Sequence, residues 1–412
     1  MLIPKLRFKR EDGTDYPEWN SKSFSDTFSS LNNNTFSRNM LSESGSVCNI
    51  HYGDIFVKYG EICDVQKENI PKVNDHIDTG KYDLLQDGDI ILADTAEDET
   101  VGKATEILNV GTATVISGLH TMACRPNYKF APMYLGYYIN SPTYHNQLLP
   151  FMQGIKVTSI GRKNISETSI SFPCLEEQQK IADFLSNVDE VIAQSEAEVA
   201  NLQQQKKAAM QKIFSQEVRF KREDGTDYPE WENVKFGSLI KEYRDRTSIE
   251  NEDVLLSSAI SGMFLNTELF GHQRGKSNIG YLKINYGTLI LSAQNLHLGN
   301  ANVNLRFEHG IISPAYKTYH ITNCNLYFMA QWIKREKTNQ FFYNATTVGA
   351  SQCRRNVDWN ALYKQSILIP CLEEQQKIAD FLATYDEAIS CAKQELDKWK
   401  ELKKGLLQQM FA

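Results

Sequence analysis

Two stretches of the chain place apolar residues at alternating steps of three and four. The first runs through Leu185, Val188, Ile192, Val199, Leu202 and Ile213, with gaps at Ser195, Lys206 and Ala209. The second runs through Leu382, Tyr385, Ile389, Ala392, Leu396, Trp399, Leu406 and Met410. This is the narrow stripe of a coiled-coil seam. It predicts a helix from Leu175 to about Phe214 and an equivalent one at the end of the chain, each of about 40 residues and roughly 60 Å. Glu176 and Glu177 fall in the first turn, where the helix dipole favours anions, and Pro173 lies just before it. Each helix has a matching partner in the other, and an antiparallel pair is expected. An ordinary core helix is the plainer alternative, but helices of this length are uncommon in cores.

Elsewhere the pattern is mixed. Residues 88–93 (Gly-Asp-Ile-Ile-Leu-Ala) and 287–292 (Gly-Thr-Leu-Ile-Leu-Ser) read as buried strands entered from a turn. Residues 133–139 and 326–333 read as short core helices, each followed by Asn-Gln and two apolar residues, at Asn146 and at Asn339. The segments from about 20 to 172 and from 232 to 369 therefore share one α+β fold despite little identity. Their aromatic residues suit a core better than a stacking surface.

The frame around these segments is copied. Residues 7–19, Arg-Phe-Lys-Arg-Glu-Asp-Gly-Thr-Asp-Tyr-Pro-Glu-Trp, recur letter for letter at 219–231. Residues 173–185, Pro-Cys-Leu-Glu-Glu-Gln-Gln-Lys-Ile-Ala-Asp-Phe-Leu, recur at 370–382. An internal repeat of this kind marks a duplicated architecture. The boundaries that follow are 1–172 for the first variable domain, 173–218 for the first helix, 219–369 for the second variable domain and 370–412 for the second helix. Because the repeat unit would continue from Phe411 into the residues before Arg7, a cyclic, pseudo-two-fold object is expected, with its ends close together.

Composition narrows the class. With 41% apolar and 23% charged residues, the 412-residue chain is of ordinary globular make-up. No apolar run is long enough for a membrane span, and residues 1–7 lack a secretory signal. The eight cysteines form no Cys-x-x-Cys pair, which suits reduced thiols in a cytoplasmic protein without a zinc site. A net charge of −7 argues against a stand-alone duplex binder but allows a local basic surface, or one completed by a partner. The charge is unevenly spread: the first variable segment is acidic by about five and the second basic by about five.

Both segments end in the pattern Ser-x-x-Arg-basic-Asn-aliphatic. In the first it is Ser159, Arg162, Lys163 and Asn164; in the second, Ser351, Arg354, Arg355 and Asn356. Arginine can grip guanine, asparagine can pair with adenine, and serine can take a phosphate. A solvated loop or a helix start suits the pattern equally. Arg244, Arg246, Arg274 and Lys276 add to the basic side chains of the second segment, as do Lys334, Arg335 and Lys337. The acidic run 94–99 suits a solvated loop better than a cytosine-reading or metal-binding one. Catalytic signatures fail. Residues 271–277 have three residues between the glycines where a phosphate-binding loop needs four. Residues 140–144 lack the second proline of a methyltransferase motif, and no histidine pair has metal spacing.

Two variable segments, each closed by Pro-x-Leu-Glu-Glu-Gln-Gln-Lys-Ile-Ala-Asp-Phe-Leu and a long helix, resemble the specificity subunit of type I restriction-modification systems. The resemblance covers essentially the whole chain; one departure is cysteine at Cys174 and Cys371, where the family commonly has a second proline. It implies two target-recognition domains, each reading one half of a split, asymmetric site on double-stranded DNA. The helices would then set the spacing and dock methyltransferase subunits, two per chain. S-adenosylmethionine, ATP and Mg²⁺ would belong to those subunits and to separate restriction subunits, with no cofactor and no catalysis in this chain. The rivals are a two-headed protein-binding scaffold without DNA and a nuclease acting alone.

Overall fold

The computed structural model describes residues 4–154, 157–271, 277–351 and 354–411. The chain divides into two compact units. The first comprises Met1–Glu196 and Gln394–Ala412, the second Ala197–Lys393.

Unit 1 is built on a five-stranded sheet in the order Phe28–Ser30, Thr121–Pro126, Ile90–Ala93, Ala104–Leu108, Ile62–Asp64. Its central strand is the apolar run expected from the sequence, and all four of its residues are buried. Unit 2 repeats the arrangement with four antiparallel strands: Ile240–Tyr243, Tyr316–Ile321, Leu289–Ser292 and Ala301–Val303. The short helices expected beside them are Tyr134–Ile139 and Leu326–Ile333. They bury Tyr134, Tyr137 and Tyr138 in one core and Phe328, Met329 and Trp332 in the other, so these aromatics are core, as their setting in apolar helices implied.

Each variable segment enters and leaves through the same neck. Asn20–Ser23 pairs antiparallel with Ser169–Phe172, and Glu232–Lys235 with Ser366–Ile369. Asn20 lies opposite Phe172, and Glu232 opposite Ile369.

The repeated blocks form a clasp at this neck. The helices span Leu175–Phe214 and Leu372–Met410. At each start a glutamine ties helix to domain: Gln178 Nε2 donates to Pro173 O at 2.8 Å while its Oε1 accepts Ala131 N at 3.0 Å. Gln375 repeats this with Pro370 O at 2.8 Å and Asn325 N at 2.8 Å. One residue earlier, the buried Glu177 receives both forks of Arg7, at 3.0 and 2.7 Å, and Glu374 receives Arg219 at 3.2 and 2.9 Å. The identical letters thus encode identical contacts.

Within each unit the two helical segments run antiparallel. In unit 1, Asp189 meets Lys403 at 2.7 Å and Glu196 meets Lys400 at 2.7 Å. Partner numbers fall on one helix as they rise on the other. In unit 2, Lys206 meets Asp386 at 2.6 Å, and Ile213 packs in one core with Ile378 and Leu382. The polar gap at Lys206 is therefore an ion-pairing position. Its repeat counterpart is Lys403, which takes the same role. The backbone near the two chain ends also meets, Leu6 N donating to Gln409 O at 3.0 Å.

One buried acid gives unit 1 a pH dependence. Glu106 accepts N–H bonds from Met133 and Gly136 at 2.8 Å each. Burial pushes its carboxyl from 4.5 up to about 7, and the N–H groups of Gly136, Met133 and Leu135 pull it back only in part. A folded pKa above the unfolded one means that protonation favours the fold. The stabilisation is full below pH 4.5 and is lost as pH rises through about 7. Over that window the loss is on the order of 3 kcal/mol. Thermal midpoints of the native chain should fall between pH 5 and 7.5 more steeply than those of Glu106→Gln. Parallel profiles would show that the carboxylate is ionised throughout.

Candidate nucleic-acid interface

In each unit three loops gather at one end of the sheet. In unit 1 these follow Phe28–Ser30, follow Ile90–Ala93 and precede Thr121–Pro126. The strand register fixes this, because Ser30 lies opposite Cys124 and Ala93 opposite Thr121. In unit 2 the same three places follow Ile240–Tyr243, follow Leu289–Ser292 and precede Tyr316–Ile321. The backbone link between the second and third loops is conserved in form. Asp94 N donates to His120 O at 3.1 Å, and Ala293 N to Ala315 O at 3.1 Å.

On unit 1 this end is a connected polar rim. Thr158–Ser159 pairs antiparallel with Thr95–Ala96, which brings exposed Ser159 opposite Thr95. Thr95 Oγ1 donates to Asp94 at 2.7 Å, and His120 Nδ1 lies 3.3 Å from the same carboxylate. The His120 backbone sits at φ +54°, and its ring packs edge-on against Tyr52, 5.3 Å between centroids. Arg162 opens a five-residue helix, Arg162–Ser166, and reaches the first loop. It donates to Ser30 Oγ and, at 3.0 Å, to Asn33 Oδ1. Asn33 in turn donates to Gly118 O at 3.2 Å. Lys163 is exposed beside it, and Asn164 is half-buried. Behind the rim Arg38 grips Asp54 with both nitrogens, at 2.7 and 2.8 Å. Burial, followed by the Arg38 charge, holds the His51 imidazole below its usual range and so favours its neutral form. The rim thus offers donors and acceptors within one surface, the groups that read base edges.

The acidic run divides. Asp94 belongs to the rim, while residues 97–100 are exposed and Asp98 folds back on Thr100, at 2.9 Å to the amide and 2.5 Å to the hydroxyl. The outer part is the solvated loop its composition suggested.

Unit 2 carries different side chains at the same end. Gln294 and Asn295 are exposed, with Ser292 Oγ accepting the Asn295 amide at 3.1 Å. The strands Thr346–Ser351 and Arg354–Val357 form an antiparallel hairpin in which Ser351 and Arg354 are opposite each other. Arg355 is held in place: Nε donates to Thr346 Oγ1 at 2.7 Å, and the guanidinium sits 4.0 Å over the Tyr343 ring. Asn356 is exposed on the same strand. Arg244 pairs with Glu242 at 2.6 Å, and Arg246 donates to Gly280 O at 2.7 Å. Both directly follow Ile240–Tyr243, the place occupied in unit 1 by the loop that Arg162 grips. Arg274 and Lys276 lie outside the described residues.

The two Ser-x-x-Arg-basic-Asn motifs are not structural counterparts. Short helices precede both closing strands, Arg162–Ser166 in one unit and Trp359–Lys364 in the other. Arg162 thus corresponds to Trp359, while Arg354 lies in the preceding hairpin. Letter matching slipped by five positions because it cannot see which strands pair. Sequence reasoning also missed Asn33, Thr95 and His120. The available signal was their position directly after or before the apolar strand runs.

Among the described residues no helix is long and apolar enough to cross a membrane, and seven cysteines are free.

Comparison with known proteins supplies the remaining evidence. The family model described as the type I restriction modification DNA specificity domain matches twice, over residues 55–204 and 195–400. The putative type I restriction enzyme MjaX specificity subunit of Methanocaldococcus jannaschii is 24% identical over 372 residues, covering 85% of this chain and 81% of that protein. The MjaVIII specificity subunit of the same organism is 24% identical over 280 residues, 62% of this chain and 64% of the relative. Among solved structures, one concerned with complex assembly and conformational transition of the type I R-M system aligns at TM-score 0.58 and 16% identity. It covers 95% of this chain and 97% of its own. The type I S subunit from M. genitalium aligns at TM-score 0.52 and 12% identity, over 100% and 99% of the two chains.

Proposed function

The chain belongs to the type I restriction modification DNA specificity family, and from that premise we propose that its two polar rims each read one half of a split, asymmetric duplex site. The observation that carries the reading is the rim itself. The same three loop positions recur on the same sheet in both units, while the side chains they present differ (Asn33, Thr95 and His120 in one; Arg244, Gln294 and Asn295 in the other). A conserved frame with unlike contents suits two unlike half-sites.

In this reading the long helices dock methyltransferase subunits, two per chain, and set the gap between half-sites. Chemistry stays with the partners: S-adenosylmethionine with the methyltransferase, ATP and Mg²⁺ with restriction subunits. The chain itself recognises and does not catalyse, and it works in the cytoplasm. Net acidity implies that partners supply much of the phosphate clamp, so the isolated chain should bind DNA weakly and lose binding steeply with salt.

The deciding experiment combines the purified chain with its methyltransferase subunits and sequences the methylated adenines. Methylation confined to one bipartite sequence supports the reading. Methylation without sequence preference, or assembly without DNA binding, would favour a protein scaffold. Within the rim, Arg162→Ala should weaken binding at one half-site about tenfold, since it removes both a cation and the brace of the Asn33 loop. Circular dichroism should stay unchanged, and equal losses at both half-sites would remove Arg162 from the interface.

A further inference from the structure

Unit 2 contains a cavity of about 950 Å³ between the last turns of the helix Leu175–Phe214 and the domain. Its size is that of small-molecule sites, which run to roughly 1,000 Å³. Met210, Phe214, Met263 and Leu305 give it apolar walls.

Seven cations line it, and they fall into two groups. Lys206 is paired with Asp386, Lys207 with Glu336 and Arg306 with Glu268, at 2.6, 2.6 and 2.8 Å. Lys212, Lys334, Arg335 and Lys337 have no carboxylate within ion-pair distance among the described residues. The carboxylate of Glu217 remains on the lining.

Two of the uncompensated cations are fixed in position. The Lys334 ammonium donates to Ile260 O at 2.8 Å, keeping two hydrogens for another acceptor. The Arg335 guanidinium lies 4.5 Å from the Phe214 ring and 4.9 Å from the Trp332 ring, with Nε on Trp332 O at 3.2 Å. Arg335 is half-buried while Lys334 keeps contact with solvent, and the protein around them holds both below their usual range. Adjacent cations without a counter-charge repel one another, and an anion between them relieves that repulsion.

The scaffold does not require them. In unit 1 the same link between helices is Asn140–Ser141. Asn140 there closes onto the Ala104 backbone, at 3.0 and 2.7 Å. Phe411, the counterpart of Phe214, packs on Tyr134 and Tyr138. Lys403, the counterpart of Lys206, is held between Glu61 and Asp189 at 3.1 and 2.7 Å.

We propose that this cavity binds an organic phosphate of nucleotide size, its phosphate on Lys334 and Arg335 and its apolar body against Met210, Phe214 and Met263. The ligand chemistry is a phosphate ester, supplied either by a free nucleotide or by one nucleotide of a DNA strand. The site is independent of the rims, so failure of sequence-specific methylation would leave it standing.

The test is calorimetry on the full chain with ADP as the probe. ADP should bind more tightly than adenosine, which lacks the charge, and more tightly than inorganic phosphate, which lacks the body. Lys334→Met should weaken ADP about tenfold, and Lys337→Met, which removes a lining charge without a phosphate contact, by less; both keep the aliphatic stem and the native melting temperature. These variants avoid Arg335, whose ring contacts make its loss a folding risk. A short duplex that displaces ADP assigns the site to a strand, and one that binds alongside ADP assigns it to a free ligand. Absence of ADP binding, or unchanged affinity in Lys334→Met, overturns the proposal.

Discussion

Arg219→Ala should cost the protein about 3–5 kcal/mol of stability, the penalty for leaving a buried carboxylate without its cation. Glu374 has a side chain with 0% exposure. It receives Arg219 at 3.2 and 2.9 Å and the Trp231 indole N–H at 3.2 Å. The same guanidinium donates to Tyr228 O at 3.2 Å and Pro229 O at 2.6 Å. One substitution therefore strips Glu374 of its counter-charge and frees the turn that holds the repeated block against the helix start. The Arg219→Met, Glu374→Met double variant should recover most of the loss, because it removes both charges from the buried site and keeps the volume. Urea denaturation of the three proteins decides it. A single variant within 1 kcal/mol of the native chain would mean that the carboxylate finds another partner or that water reaches it.

The second large effect concerns specificity. Replacing residues 20–172 with the variable segment of another family member should change one half-site completely and leave the other as it was. The neck makes this feasible. Asn20 and Phe172 are opposed residues in an antiparallel pair, so a foreign segment need only present two strand ends a few ångströms apart. The clasp of Arg7 on Glu177 lies outside the exchanged stretch and stays whole. Methylated-adenine sequencing of the chimaera with its methyltransferase partner reads the result. A chimaera that folds yet changes both half-sites, or neither, would break the link between one unit and one half-site.

The sequence made the frame legible because the frame depends on local signals. Helix starts follow from Pro173, Glu176 and Glu177 and their copies, and the first helix ends at Phe214 as its stripe implied. The strands at 90–93 and 289–292 are continuous apolar runs, a pattern that needs no partner to be recognised. The rim was not legible, because it depends on pairing between distant segments. Ser159 reaches Thr95 only through the strand pair with Thr95–Ala96, and Arg162 reaches Ser30 only through tertiary folding. Arg355 shows the converse: a basic residue in a suggestive motif whose hydrogen bonds close its own hairpin and whose guanidinium packs on Tyr343 of the preceding helix. Arg162 and Arg354 carry the same letter in the same short pattern, yet one begins a helix and the other a strand.

The two clasps have a consequence for the grammar of the target. Arg7 on Glu177 and Arg219 on Glu374 are one lock made twice, with the same residues in the same roles. Such locks cannot distinguish the cargo they hold. The inserts are therefore interchangeable cargo, and transposing them in a pseudo-two-fold frame would yield a reader of the same two words, met from the opposite strand.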